Sequence, residues 1–187
     1  VEESVERAIQ GGVSVVQLRE KEASSRELFE LAKRVKRVTD KYDVPLIIND
    51  RLDICLAVDA AGVHLGQTDL PCSEARRILG AEKIIGVSAA TPEEAAKAQS
   101  DGADYLGVGA VFATSTKTNT RPVTAETIRA IRSAVDIPFV VIGGVNSENI
   151  SGLYGLGING AAVISAIISQ PDITAAARKM RQAAERL

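Results

Sequence analysis

Seven short runs rich in apolar and β-branched residues alternate with segments of helical period along the chain, and this alternation constrains the fold more than any other feature. The runs fall at 14–19, 45–49, 62–65, 83–87, 105–108, 138–142 and 160–164. Between them the helical segments carry start signals. Ser24 and Glu27 make a capping box ahead of Leu28, Leu31, Ala32, Val35 and Val38 at core-facing spacing, and Thr91, Pro92 and Glu94 repeat the pattern. Strand followed by helix, repeated this often, implies right-handed crossovers and an all-parallel sheet. No low-complexity stretch or composition shift marks a linker, so the 187 residues are expected to form a single domain over 1–187.

A parallel sheet of this kind either stays open and doubly wound or closes into a barrel. No G-x-G-x-x-G opens a helix after a strand, which argues against the dinucleotide-binding open sheet. Closure takes eight strands, whereas seven are visible and the sequence opens on a helix over 2–10 that ends at Gly11 and Gly12. The expectation is therefore an α/β fold, a (β/α)₈ TIM barrel, with its first N-terminal strand missing from this chain. Open strand edges would favour association, so a homo-oligomer is compatible with the sequence.

Composition excludes several function classes. Lysine plus arginine total 22 against 24 acidic residues, a net charge of −2, and aromatics are 3% with no tryptophan. Neither an electrostatic case for nucleic acid nor a base-stacking platform follows from such a chain. No apolar run approaches the ~18 residues that span a bilayer, and the first ten residues are charged unlike a secretory signal, so no membrane partner and a cytoplasmic location are expected. Cys55 and Cys72 have no metal-ligand spacing, sit in no nucleophile motif and fit a reducing compartment.

In a barrel of this type the chemistry lies at the C-terminal ends of the strands, so the polar residues that follow each apolar run are the ones to read. After the first run, alternation puts Gln17, Arg19 and Lys21 on one side, an amide with two cations suited to phosphate oxygens. The second run ends in Asn49 and Asp50. Asp50 is a hard oxygen ligand of the kind Mg²⁺ prefers, and Asn49 can bind a substrate oxygen or amine; the competing reading makes Asp50 a helix N-cap. Asp69 brings a second carboxylate to the same end, with waters and diphosphate oxygens to complete a Mg²⁺ shell. His64, the only histidine, lies inside an apolar run and reads as a packed, hydrogen-bonded side chain before a catalytic one.

Ser88 ends the next run with a hydroxyl that can donate to phosphate or to backbone. One histidine and no G-x-S-x-G turn argue against a serine triad. The segment 113–121 holds four threonines and two cations and reads as a phosphate-closing lid. Gly143 and Gly144, with Ile164 and Ser165, end the last two runs and suit a second anion site. Two anion sites flanking a metal imply two phosphorylated substrates.

These motifs, in this order, resemble the thiamine-phosphate synthase family across almost the whole chain: QLREK at 17–21, IIND at 47–50, GVHLGQxD at 62–69, GVS at 86–88, TSTK at 114–117, IGG at 142–144 and VIS at 163–165. The resemblance implies coupling of a hydroxymethylpyrimidine diphosphate to a hydroxyethylthiazole phosphate, with release of pyrophosphate. It implies that Gln17, Leu18, Arg19, Glu20, Lys21 and Asn49 bind the pyrimidine diphosphate and that Asp50 and Asp69 hold Mg²⁺. Ser88 and Lys117 would join the diphosphate contacts, so that Arg19, Lys21, Ser88 and Lys117 act on the reacting groups. Thr114, Ser115 and Thr116, with Gly144, Ile164 and Ser165, would hold the thiazole phosphate.

Ala90 stands where many members have histidine and Ala113 where many have proline, which points to altered loop packing or rate rather than a lost ligand. Three other readings compete: a thiazole tautomerase on the same scaffold, a non-catalytic sensor of thiamine precursors, and an isomerase or aldolase-like phosphate-binding barrel. Arg19, Lys21, Asp50, Asp69 and Lys117 argue against the first. The second would bind ligand without releasing pyrophosphate. The third usually needs an acid/base pair or a desolvated lysine, for which the polar settings of Lys21 and Lys117 give no sign.

Overall fold

The computed structural model describes residues 1–113 and 122–187. Its elements run α1 (Glu2–Gln10), β1 (Val16–Leu18), α2 (Ser25–Lys41), β2 (Leu46–Asn49), α3 (Leu52–Ala57), β3 (Gly62–Leu65), α4 (Cys72–Leu79), β4 (Ile84–Ala89), α5 (Pro92–Ser100), β5 (Tyr105–Gly109), α6 (Ala125–Ala134), β6 (Phe139–Ile142), a 3₁₀ turn (Ile150–Leu153), β7 (Gly160–Ala162), α7 (Ser165–Ile168) and α8 (Ile173–Ala184). The seven strands pair in parallel in chain order, β1 to β7. The result is the TIM-type α/β architecture with seven strands, a curled half-barrel.

Strand alternation explains how one sheet serves both core and site. Leu18, Leu46, Ile48, Val63, Leu65, Ile85, Val87, Leu106, Val108, Phe139 and Val141 form a continuous core with helix residues such as Leu28, Ala32, Val35, Ile128 and Ile131. The intervening residues, Gln17, Asn49, His64, Ser88 and Tyr105 among them, therefore face the concave side. On α2 the buried positions are Leu28, Ala32, Val35 and Thr39, so Thr39 rather than Val38 completes the stripe. Its hydroxyl costs little there, because Oγ1 donates to the Lys36 carbonyl at 3.0 Å.

Helix starts follow the sequence signals with one difference. Ser24 closes a full capping box with Glu27, at 3.3 Å from the Glu27 amide and with 2.9 Å in return. Thr91 accepts from the Glu94 amide at 3.2 Å, but the Glu94 carboxylate reaches one residue further back, to the Ala90 N–H at 2.7 Å. Ala90, where a histidine was anticipated from the family pattern, thus has its backbone donor tied to its own helix.

Among the described residues β1 and β7 are the sheet's two edges, paired only with β2 and β6. The helical layer runs across that seam. Helix α1 is tied to α2 by Glu2 with Arg34 at 2.6 Å and Glu6 with Lys41 at 2.7 Å. On its other flank, Thr174 Oγ1 donates to the Arg7 carbonyl at 3.0 Å, and Gly11 meets Ala177 so closely that any side chain at 11 would collide with it. Both cysteines are buried, and burial pushes the Cys55 thiol up to about 11, which marks it as a packing residue. Among the described residues no helix is long and apolar enough to cross a membrane.

Candidate active site

The C-terminal ends of β1, β2 and β3 bring together Lys21, Asp50 and Asp69. Asp50 follows the last residue of β2 with φ 64, a left-handed conformation that aspartate tolerates better than most residues. Its amide donates to the His64 carbonyl at 2.9 Å, which fixes the turn against β3. The Asp50 carboxylate lies 3.5 Å from Lys21 Nζ and within hydrogen-bonding reach of Asp69. Burial, and then the Asp69 carboxylate, hold the Asp50 pKa above the ordinary value, with Lys21 acting in the opposite direction. The N-cap of α3 is Arg51, without a side-chain cap, so Asp50 does not serve that role.

Asp69 is held by a tight loop in which its Oδ2 accepts the Gly66 N–H at 2.6 Å and its own N–H returns to the Gly66 carbonyl at 3.2 Å. Two half-buried carboxylates facing one another, one of them disfavoured as an anion, are a donor set that a hard divalent cation would satisfy. The described residues gather no third carboxylate, histidine or cysteine there. A cation held by these two would complete its shell from water and substrate oxygens.

Gln17, Arg19, Glu20 and Lys21 are exposed on and just beyond the end of β1, whereas Leu18 is buried in the core on the other face. Glu20 Oε1 is taken up locally by the Glu22 amide at 3.0 Å. Asn49 is half-buried opposite His64 in the β2–β3 ladder. Ser88, on β4, places its hydroxyl 3.0 Å from His64 Nε2, and its carbonyl accepts from Gln67 Nε2 at 2.7 Å.

At the far side, Gly143 and Gly144 have φ 98 and 64 and press against Ala110, Phe112 and Ala113, where a Cβ would meet backbone and side-chain atoms within 3 Å. Asn149 Nδ2 donates to the Gly144 carbonyl at 2.8 Å and holds this turn. Ile164 and Ser165 are exposed at the start of α7, with Ile164 51% accessible despite its size. The predicted contacts Thr114, Ser115, Thr116 and Lys117, and most of the anticipated lid, lie outside the described residues.

Sequence reasoning missed Tyr105 and Gln67. Tyr105 opens β5 and so escapes a search confined to strand C-terminal ends, yet its hydroxyl lies 2.9 Å from His64 Nδ1. Gln67 sits inside the recognised GVHLGQxD motif but was given no role of its own.

The parallel strand order and the polar residues gathered at one end of the sheet define an enzyme of the TIM-barrel class, which takes small-molecule substrates at the strand C-termini. Known proteins narrow that class. A family model described as thiamine monophosphate synthase matches residues 1–167. The thiamine-phosphate synthase of Ruminiclostridium cellulolyticum is 58% identical over 180 residues, 96% of this chain and 86% of that protein. Its counterpart from Clostridium botulinum is 51% identical over 187 residues, 100% of this chain and 88% of that protein.

Among solved structures, the thiamine phosphate pyrophosphorylase from Pyrococcus furiosus superposes with a TM-score of 0.91 at 41% identity, covering 98% of this chain and 88% of that one. A 3-hexulose-6-phosphate synthase at 18% identity and TM-score 0.71 shares the fold alone. The chain belongs to the thiamine monophosphate synthase family, transferases of thiamine biosynthesis.

Proposed function

We propose that this chain, as a thiamine-phosphate synthase, couples 4-amino-2-methyl-5-hydroxymethylpyrimidine diphosphate to 4-methyl-5-(2-hydroxyethyl)thiazole phosphate, giving thiamine phosphate and pyrophosphate. Residues 1–187 act as one catalytic domain. The observation that carries the reading is the convergence of Asp50, Asp69 and Lys21 at one mouth of the sheet, where a diphosphate needs positive charge and a divalent cation needs hard oxygen donors. Asp50 and Asp69 would hold Mg²⁺, which supplies positive charge to the diphosphate oxygens when bound.

The chain's own groups do the rest by alignment and electrostatics. Arg19 and Lys21 draw the diphosphate to the exposed end of β1, while Gln17 and Asn49 orient the aminopyrimidine. Ser88 donates its hydroxyl to the departing diphosphate, and Lys117 adds a further cation. The carbon–oxygen bond breaks with its electron pair on pyrophosphate. The electron-rich aminopyrimidine stabilises the resulting carbocation, and the thiazole nitrogen lone pair closes the new carbon–nitrogen bond. No side chain is needed as nucleophile, in keeping with strand ends that carry cations, carboxylates and hydroxyls.

Thr114, Ser115 and Thr116, with the Gly144 turn, Ile164 and Ser165, hold the thiazole phosphate. Thr116→Ala is accordingly expected to raise KM for thiazole phosphate by roughly 10- to 150-fold, the scale of one lost hydrogen bond to a charged group, ~1.5–3 kcal/mol. A selective rise in KM for the diphosphate substrate in steady-state assays would contradict the assignment.

The reading as a whole is tested by mixing the protein with both substrates, with and without Mg²⁺, and following pyrophosphate and thiamine phosphate together. Equal amounts of the two, formed only with metal, are expected. Saturable binding without product would favour a sensor of thiamine precursors instead.

A further inference from the structure

Three adjacent strands place a buried polar chain behind Ser88. In the parallel register His64 lies beside Gly86, Gly86 beside Tyr105, and Ser88 beside Gly107. The Tyr105 hydroxyl is 2.9 Å from His64 Nδ1, and His64 Nε2 is 3.0 Å from Ser88 Oγ. The two glycines make room for the rings: a Cβ at Gly86 would overlap the Tyr105 ring, and one at Gly107 would come to 2.9 Å from His64 Cε1. The sheet thus forgoes side chains at two concave positions to admit this chain.

Its direction follows from the serine: a Ser88 hydroxyl that gives its one proton to the departing diphosphate can only accept from His64 Nε2, 3.0 Å away. Burial pushes the Tyr105 phenol up to about 12, so it keeps its single proton throughout the neutral range. That proton is available to His64 Nδ1, 2.9 Å from the hydroxyl. A neutral imidazole that accepts at Nδ1 carries its proton on Nε2 and donates there. With Ser88 Oγ as recipient, the single serine proton is left to point away from His64.

We propose that Tyr105 and His64 are positioning residues that form a one-way hydrogen-bond relay, Tyr105 to His64 to Ser88, which fixes the Ser88 hydroxyl as a donor toward the oxyanion released in the reaction. With the opposite polarity the serine would spend its proton on His64 and present only lone pairs to an anion. The relay is preorganised by packing, so little reorientation is left for the moment at which charge develops. The proposal, its polarity included, rests on the reading of Ser88 as a diphosphate contact; the tautomer itself is measured without turnover.

His64 is the only histidine in the sequence, so labelling histidine with ¹⁵N gives one imidazole whose tautomer is read directly by NMR. The substrate-free protein at neutral pH is expected to show the neutral Nε2–H form, and Tyr105→Phe to lose that preference. An Nδ1–H tautomer in the unaltered protein would overturn the relay. In steady-state kinetics Tyr105→Phe should lower kcat on the order of tenfold, as loss of an orienting partner does, with both KM values little changed.

In a Ser88→Ala background the same substitution should add no further loss; an undiminished second loss would overturn the coupling to Ser88. A rise in KM with unchanged kcat would also count against it. Failure of the unaltered protein to form thiamine phosphate would instead defeat the parent reading, and the tautomer spectrum, taken without substrate, would still decide the polarity.

Discussion

Asp50→Ala is expected to abolish Mg²⁺-dependent turnover, with a loss beyond the ~100-fold upper range for a supporting contact alone. The carboxylate is disfavoured as an anion by burial and by Asp69, with Lys21 at 3.5 Å offsetting part of that cost. A folded-state pKa raised above the unfolded value contributes stability that is present below the unfolded pKa and lost as pH rises through the folded one. At neutral pH the ionised Asp50 is therefore a liability to the metal-free fold, and its retention is explained by what it binds.

Two consequences distinguish this from a structural role. Asp50→Asn, which keeps a side chain suited to φ 64, should lose turnover as fully as alanine while its metal-free melting temperature holds or rises. Alanine at that φ carries a strain penalty of ~1–3 kcal/mol and should melt lower. Added Mg²⁺ should raise the melting temperature of the unaltered protein and leave both variants unmoved. Turnover by Asp50→Ala equal to the unaltered protein at limiting Mg²⁺ would remove the metal assignment.

The strands were legible because each is a short apolar run bounded by breakers, and their ends shifted only where pairing decides. The run at 14–19 yields a strand only from Val16, where its ladder with Leu46 begins, and Val15 is left 50% exposed at the sheet edge. Pro138 stays outside β6, offering its carbonyl to the Leu106 amide. β4 extends to Ala89 because β5 continues opposite it, Ala89 beside Val108.

The candidate site was legible at strand ends for the same reason, since a buried strand has no need to finish in Asn49 and Asp50. Two things needed coordinates. One is the positive φ at Asp50 together with Arg51 as N-cap, which removes the helix-cap reading of Asp50. The other is the pairing of His64 with Tyr105 and Ser88, residues 41 and 24 positions away that only the parallel register brings together. A lone histidine in an apolar run reads as packing, and it is packed; the partners that give it direction carry no local signal.

The largest stability loss is expected at Phe139, which joins the sheet's core to the edge that leads into β7. Its ring is fully buried, with the Arg132 guanidinium 5.2 Å from its centroid. Its N–H donates to Asn159 Oδ1 at 3.1 Å and its carbonyl accepts from the Asn159 amide at 3.0 Å. Phe139→Ala removes the ring and leaves a cavity between sheet and helix, at a cost of ~3–5 kcal/mol. Against a total of ~5–15 kcal/mol for a domain, that is a large share.

The melting temperature should fall by roughly 6–20 °C, taking 2–4 °C per kcal/mol for a chain of this size. Phe139→Leu, which refills most of the volume, should fall by a fraction of that, with the denaturant m-value unchanged in both if the cost is a native-state cavity. A drop of under about 3 °C for the alanine variant would mean that the sheet closes over the space, and that β6 is less constrained by its core than its burial implies.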